Sequence, residues 1–237
     1  MSQGWILFGD AVHLLGACAA ATLAAWLVGR RSQVGPAGLA YVGALVVSAA
    51  WALAVASTGV DGPVAHAAES LRNLAWLYVI YRLFSSDGRH QLVRPVRPVM
   101  LSLAAIELFQ ILQIVILPEI VFTFSGPVSD TLGSLWDPIP NNRTLAPFPI
   151  QASPATMMLT IGGLVLLHNL YGGASQVARA VLRWPTAAIA LLWLFDLNLY
   201  TVAYLTKAWP GELASLRGLI LAAAVATLTP GMTLRRA

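Results

Sequence analysis

The chain has 237 residues, 58% of them hydrophobic and only 10% charged, where an ordinary soluble domain carries roughly 25% charge. With a mean hydropathy of +0.73, this composition excludes a soluble globular enzyme and predicts an integral membrane protein. The net charge of +4 and a pI near 9.6 are spread over many segments and form no single basic patch, so anionic lipid headgroups are the expected partner and nucleic acid is not.

Seven apolar stretches are long enough for a helix to cross a hydrocarbon core of about 30 Å, which takes roughly 17–25 residues. The first, residues 5–28, carries Asp10 and His13 three positions apart, together with the sole cysteine, Cys18. A single cysteine forms no intramolecular disulfide and no cysteine-based metal cage, and Cys18 reads as a small packing residue. The stretch lacks a basic leader and is long enough to span, so it is not a cleavable signal. A turn at 30–35 leads to the second span, 37–60, and the Asp61-Gly62-Pro63 turn leads to the third, 67–84. There Glu69, Arg72, Asn73 and Trp76 follow i, i+3, i+4, i+7 spacing and form one stripe on a helix.

A basic stretch, 85–98, precedes the fourth span, 99–118, which holds Glu107 and Gln110 near mid-depth. Residues 119–153 contain Pro127, Pro138, Pro140, Pro147 and Pro149 and are expected to be an extended loop. One short amphipathic helix is expected within it, after Ser129 as N-cap, with Leu132, Leu135 and Trp136 facing the outer headgroup layer. The fifth span is 154–171. A connector at 172–183 leads to the sixth, 185–205, with Trp193, Asp196, Tyr200 and Tyr204 along one side and Asn198 roughly opposite. After a turn at 206–213, the seventh span, 214–230, begins near Arg217.

These runs are continuously apolar and do not alternate with period two, so helices and not a barrel are predicted, the two structures that satisfy the backbone in lipid. The predicted fold is an all-α bundle of about seven transmembrane helices. Drawn this way, Arg30, Arg31, Arg82, Arg89, Arg94, Arg97, Arg179, Arg183, Arg235 and Arg236 fall on one side, leaving Arg72, Arg143, Lys207 and Arg217 for the other or for the spans. The positive-inside rule makes the first set cytoplasmic, with the amino terminus out and the carboxyl terminus in.

Catalytic motifs are largely missing: the sequence has no Gly-rich Walker loop, HExxH or GxSxG, and no paired His ligands at helical spacing. A retinal protein needs a Schiff-base lysine in its last helix, whereas the only lysine, Lys207, lies in a turn. Polar residues inside the membrane are the remaining clue, because they are expensive there and face a bundle interior or a watered cavity. Asp10, His13, Glu69, Arg72, Asn73, Glu107, Asp196, Tyr200 and Arg217 form the candidate cluster, gathered toward the outer half. At ~1.5 Å of rise per residue, Arg72, Tyr200 and Arg217 are expected near the outer surface, and Asp196 and Glu107 nearer the midplane. Arg217 is expected to seek Asp196 or Glu69. Two readings stand side by side: interhelical fasteners worth about 0.6–2 kcal/mol each, or an outward-facing ligand or signal pocket lined by Asp196, Tyr200, Arg72 and Arg217. Trp5, Trp184, Trp209 and Tyr204 are expected in interfacial aromatic belts.

Four stretches carry a resemblance to a known family. In residues 69–84, acidic Glu69 is followed by Leu71-Arg72-Asn73, by Ala75-Trp76 and by a Leu-containing end. Then come Asn169-Leu170-Tyr171, Phe195-Asp196 leading to Leu199-Tyr200, and Ala214 to Arg217-Gly218 at the start of the last helix. In this order they resemble the membrane input region of the PrsK-type histidine kinases of the exosortase/PEP-CTERM system. The stretch 119–153 has no counterpart in that pattern.

The resemblance implies a sensor module, residues 1–232, and the start of a cytoplasmic linker, 233–237. A kinase core beyond it would use ATP and Mg, autophosphorylate on histidine within a homodimer and pass the phosphoryl group to a response regulator. It would control exopolysaccharide and exosortase genes from the bacterial inner membrane. The phosphoacceptor helix and ATP boxes of such a core do not occur in these 237 residues, so no catalytic residue or cofactor is expected in them. The alternative is a small inner-membrane transporter or channel subunit, whose folds often show internal repeats; the two halves of this sequence show no convincing one.

Overall fold

The computed structural model describes residues 3–30, 37–60, 62–86, 90–116 and 148–233. Among these the regular elements are all helices: α1 (Gln3–Gly29), α2 (Gly38–Thr58), α3 (Pro63–Ser86), α4 (His90–Ile116), α5 (Phe148–Gly172), α6 (Gln176–Thr206), the short α7 (Gly211–Ser215) and α8 (Arg217–Thr233). Six segments are long and apolar enough to cross a membrane: α1, α2, Val96–Ile114 of α4, Pro154–Gly172 of α5, α6, and Gly211–Gly231 through α7 and α8. The expected third span does not reach that standard. α3 has 24 residues, ample length, but Glu69, Arg72, Asn73 and Arg82 make it the most polar of the long helices.

Each long helix packs on its neighbours in sequence, and α8 returns to α1, closing a ring in the order α1, α2, α3, α4, α5, α6, α8. The short α7 rests on α1, and α3 also touches α5 across the interior. Leu7, Leu39, Leu101, Leu108, Met158 and Leu205 point outward and are more than half exposed, while Glu69, Arg72, Glu107, Asp196 and Arg217 are buried. A soluble protein distributes these residue types the other way. Apolar outside and charged inside is the arrangement of a multi-pass membrane protein.

Glycine sets how closely the ring shuts. A Cβ added to Gly218 would lie 2.5 Å from the backbone of Val12 and His13, and one on Gly16 would lie 2.6 Å from the Gly218 carbonyl oxygen. Backbones approach this closely in membranes only over small residues. Between α5 and α6 the Trp193 ring occupies the space a side chain on Gly163 would need. Several hydroxyls are satisfied within their own helices: Ser48, Thr186 and Thr229 each donate to the carbonyl four residues back, at 2.7, 2.7 and 2.9 Å, so these donors are not left bare in the membrane.

The helices outrun the hydropathy boundaries. The connector expected at 85–98 is mostly helical, since α4 begins at His90 and carries Arg94 and Arg97 in its first turns. Likewise α6 begins at Gln176, not 185, with Ser175 as N-cap accepting the Ala178 N–H at 3.3 Å. Arg179 donates from Nη2 to the Gly172 carbonyl at 2.9 Å, so a residue expected in a loop instead ties two helices together. Hydropathy marks where lipid ends, whereas helices continue into the headgroup layer on long basic side chains. Residues 148–153 belong to α5 and not to an extended loop. The rest of the Pro-rich stretch, with the helix expected after Ser129, lies outside the described residues, as does the linker from 234 onward. The last span is interrupted: the Leu216 N–H bonds the Leu213 carbonyl at 3.1 Å, a tightened turn between α7 and α8, and α8 starts at Arg217.

Candidate functional site

Three helices that are distant in sequence meet at one buried cluster. α3 supplies Glu69 and Arg72 one turn apart, α6 supplies Asp196 and Tyr200 one turn apart, and α8 supplies Arg217 as its first residue. Arg217 donates from Nε to Asp196 Oδ1 at 2.9 Å and from Nη1 to Glu69 Oε2 at 2.9 Å, while Nη2 closes a second, very short contact with Glu69 Oε1. Arg72 donates from Nη2 to Asp196 Oδ2 at 2.5 Å and lies 3.9 Å from Glu69 Oε1. The Tyr200 hydroxyl donates to Glu69 Oε1 at 3.0 Å. Each carboxylate is therefore shared by both arginines, as in a closed quartet of alternating charge with zero net sum.

Aromatic rings wall the quartet. The guanidinium carbons of Arg72 and Arg217 lie 4.2 and 4.8 Å from the centroid of the Trp51 ring on α2, positions in which the negative ring face attracts a cation. His13 meets the same ring edge-on at 5.6 Å. Trp209, from the turn after α6, lies against Tyr200 at 5.6 Å and His66 at 6.3 Å, and His66 Nδ1 is 3.8 Å from Glu69 Oε2. On the other side Asn73 accepts from Arg72 Nη2 at 3.3 Å and donates from Nδ2 to Glu107 Oε1 on α4 at 3.1 Å. One turn on, the Trp76 indole donates to Ser48 Oγ at 3.1 Å, joining α3 to α2.

Of the nine residues singled out from sequence, Glu69, Arg72, Asp196, Tyr200 and Arg217 form this network, and Asn73 and Glu107 extend it. His13 joins only through Trp51, and Asp10 stands apart, lining a cavity instead. Both arginines reach Asp196, Arg72 through Nη2 and Arg217 through Nε. Sequence reasoning missed Trp51, His66 and Ser48; Trp209, expected in an interfacial belt, is partly exposed and packs on Tyr200 and His66. The available signals were a tryptophan amid the alanines and valines of α2, and a histidine one turn before Glu69.

Burial decides what this arrangement can do. Arg72, Asp196, Glu69 and Arg217 are only 2, 3, 4 and 5% exposed, and Glu107 is wholly buried. The side chains expected to line an open pocket close on one another, so the quartet is a sealed interhelical lock. Each charge left alone near the bilayer centre would cost roughly 2.5–3.5 kcal/mol or more, and pairing offsets this. Tyr200→Phe, which removes one donor but no charge, is expected to lower unfolding stability by about 0.6–1.7 kcal/mol. Denaturation in bicelles measures it, and an unchanged midpoint would remove Tyr200 from the lock. Among the described residues no three His, Cys, Asp or Glu side chains converge as a metal site would need.

Comparison of the chain with protein-family models, curated proteins and solved structures finds no match.

Proposed function

We propose that this chain is the membrane-embedded input region of a PrsK-like sensor histidine kinase: a seven-helix module of the bacterial inner membrane, amino terminus outside and carboxyl terminus inside. One observation supports the reading. Of the four stretches that carry the resemblance, the three at 69–84, 195–200 and 213–219 supply all five residues of the charge network. Sequence likeness and structural convergence thus fall on the same side chains. The stretch at 167–171 lies elsewhere, with His168 and Asn169 beside a second cavity, of about 520 Å³.

On this reading α3 is the seventh span, its charges neutralised inside the ring. α8 is the output: it begins at the lock, on Arg217, and leads toward the cytoplasmic side, where a kinase core would follow. A stimulus that loosens or reorients the quartet changes where α8 sits relative to α3 and α6. ATP and Mg belong to that core, together with the homodimer contact and transfer to a response regulator. A transporter or channel would instead need charges facing a watered route, and those of the quartet face one another.

The topology is tested by cysteine accessibility on intact cells in a Cys18→Ala background. A cysteine at Arg89 is expected to react with an impermeant reagent only after permeabilisation, and one at Arg143 before it. Reaction at Arg89 in intact cells would invert the assignment. The functional reading is tested at the locus: a histidine-kinase core in frame after codon 237 or encoded beside it is expected. Membranes holding both should show altered autophosphorylation when Asp196 is replaced by Asn. A locus with transport genes and no kinase would sink the proposal.

A further inference from the structure

A cavity of about 410 Å³ opens between α1, the carboxyl end of α2 and α7, within the range of small-molecule pockets. It is separate from the charge quartet. Asp10, His13, Thr58 and Ser215 supply its polar lining, and the hydrogens of His13, Thr58 and Ser215 are already committed. Ser215 donates to the Gly211 carbonyl at 2.8 Å and Thr58 to the Ala54 carbonyl at 2.9 Å. His13 bonds the Gly9 carbonyl through Nδ1 at 2.8 Å. A carbonyl only accepts, so Nδ1 carries the hydrogen, and Nε2 of the neutral ring is a lone pair.

That Nε2 is buried without a hydrogen-bond partner, on a side chain only 1% exposed. Backbone donors are turned away as well: the Gly59 and Gly62 N–H groups bond the Val55 and Gly59 carbonyls at 2.9 and 3.2 Å. The last turn of α2 contributes Val55 and Thr58 to the wall, followed by Gly59, and a helix carboxyl end carries roughly half a negative charge. The cavity offers acceptors, a carboxylate and a negative dipole end, with apolar wall from Ile6, Val55 and Val60. Among the described residues, the lining side chains and the Gly59 and Gly62 N–H groups offer an anion no free donor. Arg72 and Arg217 lie beyond the Trp51 ring, each already paired with carboxylates.

We propose that this cavity binds an organic ammonium group on a small apolar body, the ammonium donating to the partly exposed Asp10. The proposal does not rest on the kinase reading. Two sources share this chemistry, a free primary amine and the ethanolamine head of a membrane lipid.

The full chain in phosphatidylglycerol nanodiscs would be titrated with 2-phenylethylamine, 2-phenylethanol and phenylacetate, following saturation-transfer NMR signals. Saturable amine binding is expected, at least tenfold tighter than the alcohol, with no binding of phenylacetate. Asp10→Asn should weaken the amine at least tenfold and leave the alcohol unchanged. Ile6→Trp, at a half-exposed position of the wall, should block both, with helical circular dichroism as the folding control for each variant. Equal affinity for amine and alcohol, indifference to Asp10→Asn, or no saturable amine binding to folded protein would each overturn the site. Repeating the titration with phosphatidylethanolamine in the discs separates the sources: loss of amine binding identifies the lipid head, and unchanged binding a free amine, the ammonium site standing in either case.

Discussion

Arg217→Met is expected to destabilise the protein by about 3–5 kcal/mol, the scale for removing one partner of a buried ion pair. The substitution keeps an unbranched apolar stem, lacks the guanidinium, and removes three N–H contacts, one to Asp196 and two to Glu69. It leaves two buried carboxylates with one arginine, and Arg72 stands 3.9 Å from Glu69, too far to replace what is lost. An exposed pair would yield only about 0–1 kcal/mol, so the size of the effect itself reports the seal. Adding Glu69→Gln restores neutrality, and the double variant is expected to recover a substantial part of the loss. Unfolding in bicelles, followed by tryptophan fluorescence, would measure the cycle. Effects that add within about 0.5 kcal/mol would mean that the two charges are solvated separately and that the lock is absent.

Gly218→Leu is expected to lower stability by about 1–3 kcal/mol, toward the upper end, as overpacking does. Its first side-chain atom would fall on the Val12 and His13 backbone, and backbone, unlike a flexible side chain, cannot rotate aside. Relief requires α8 to move away from α1, and the neighbouring Arg217 moves with it. Gly43→Ala on α2 is the control, because an added Cβ there meets nothing within 4 Å and replaces a poor helix former, a gain of up to about 1 kcal/mol. Thermal unfolding of the two proteins side by side should give shifts of opposite sign. Equal midpoints would disprove the close crossing of α1 and α8.

Charges in apolar spans are conspicuous in sequence because nothing but an interior partner makes them tolerable, which is why Glu69, Arg72, Asp196 and Arg217 stood out. Spacing on a single helix was also readable, as the Glu69-to-Trp76 stripe on α3 illustrates. Trp51 was not: an aromatic ring in lipid is favourable whether or not it backs an arginine, so composition cannot tell a packing tryptophan from a cation platform. The polarity of α3 made the site visible in sequence and is also what keeps this helix out of the six segments apolar enough to cross a membrane. Helix ends were the least legible part, since basic residues end the apolar runs near 98 and 185 while the helices themselves extend back to His90 and Gln176.

The glycine crossing of α1 and α8 also has a mechanical meaning. Gly218 is pinned against unyielding backbone at the start of its helix, so this end is a fulcrum and the remaining 15 residues to Thr233 are a lever of about 22 Å, at ~1.5 Å per residue. Rotating that arm by about 5° sweeps its far tip through about 2 Å, with no need to slide the helix along its axis. The space beside Gly231 near that tip is filled by Trp184 of α6, whose Cβ would stand 2.8 Å from an added Cβ, so on that side the arm has a stop.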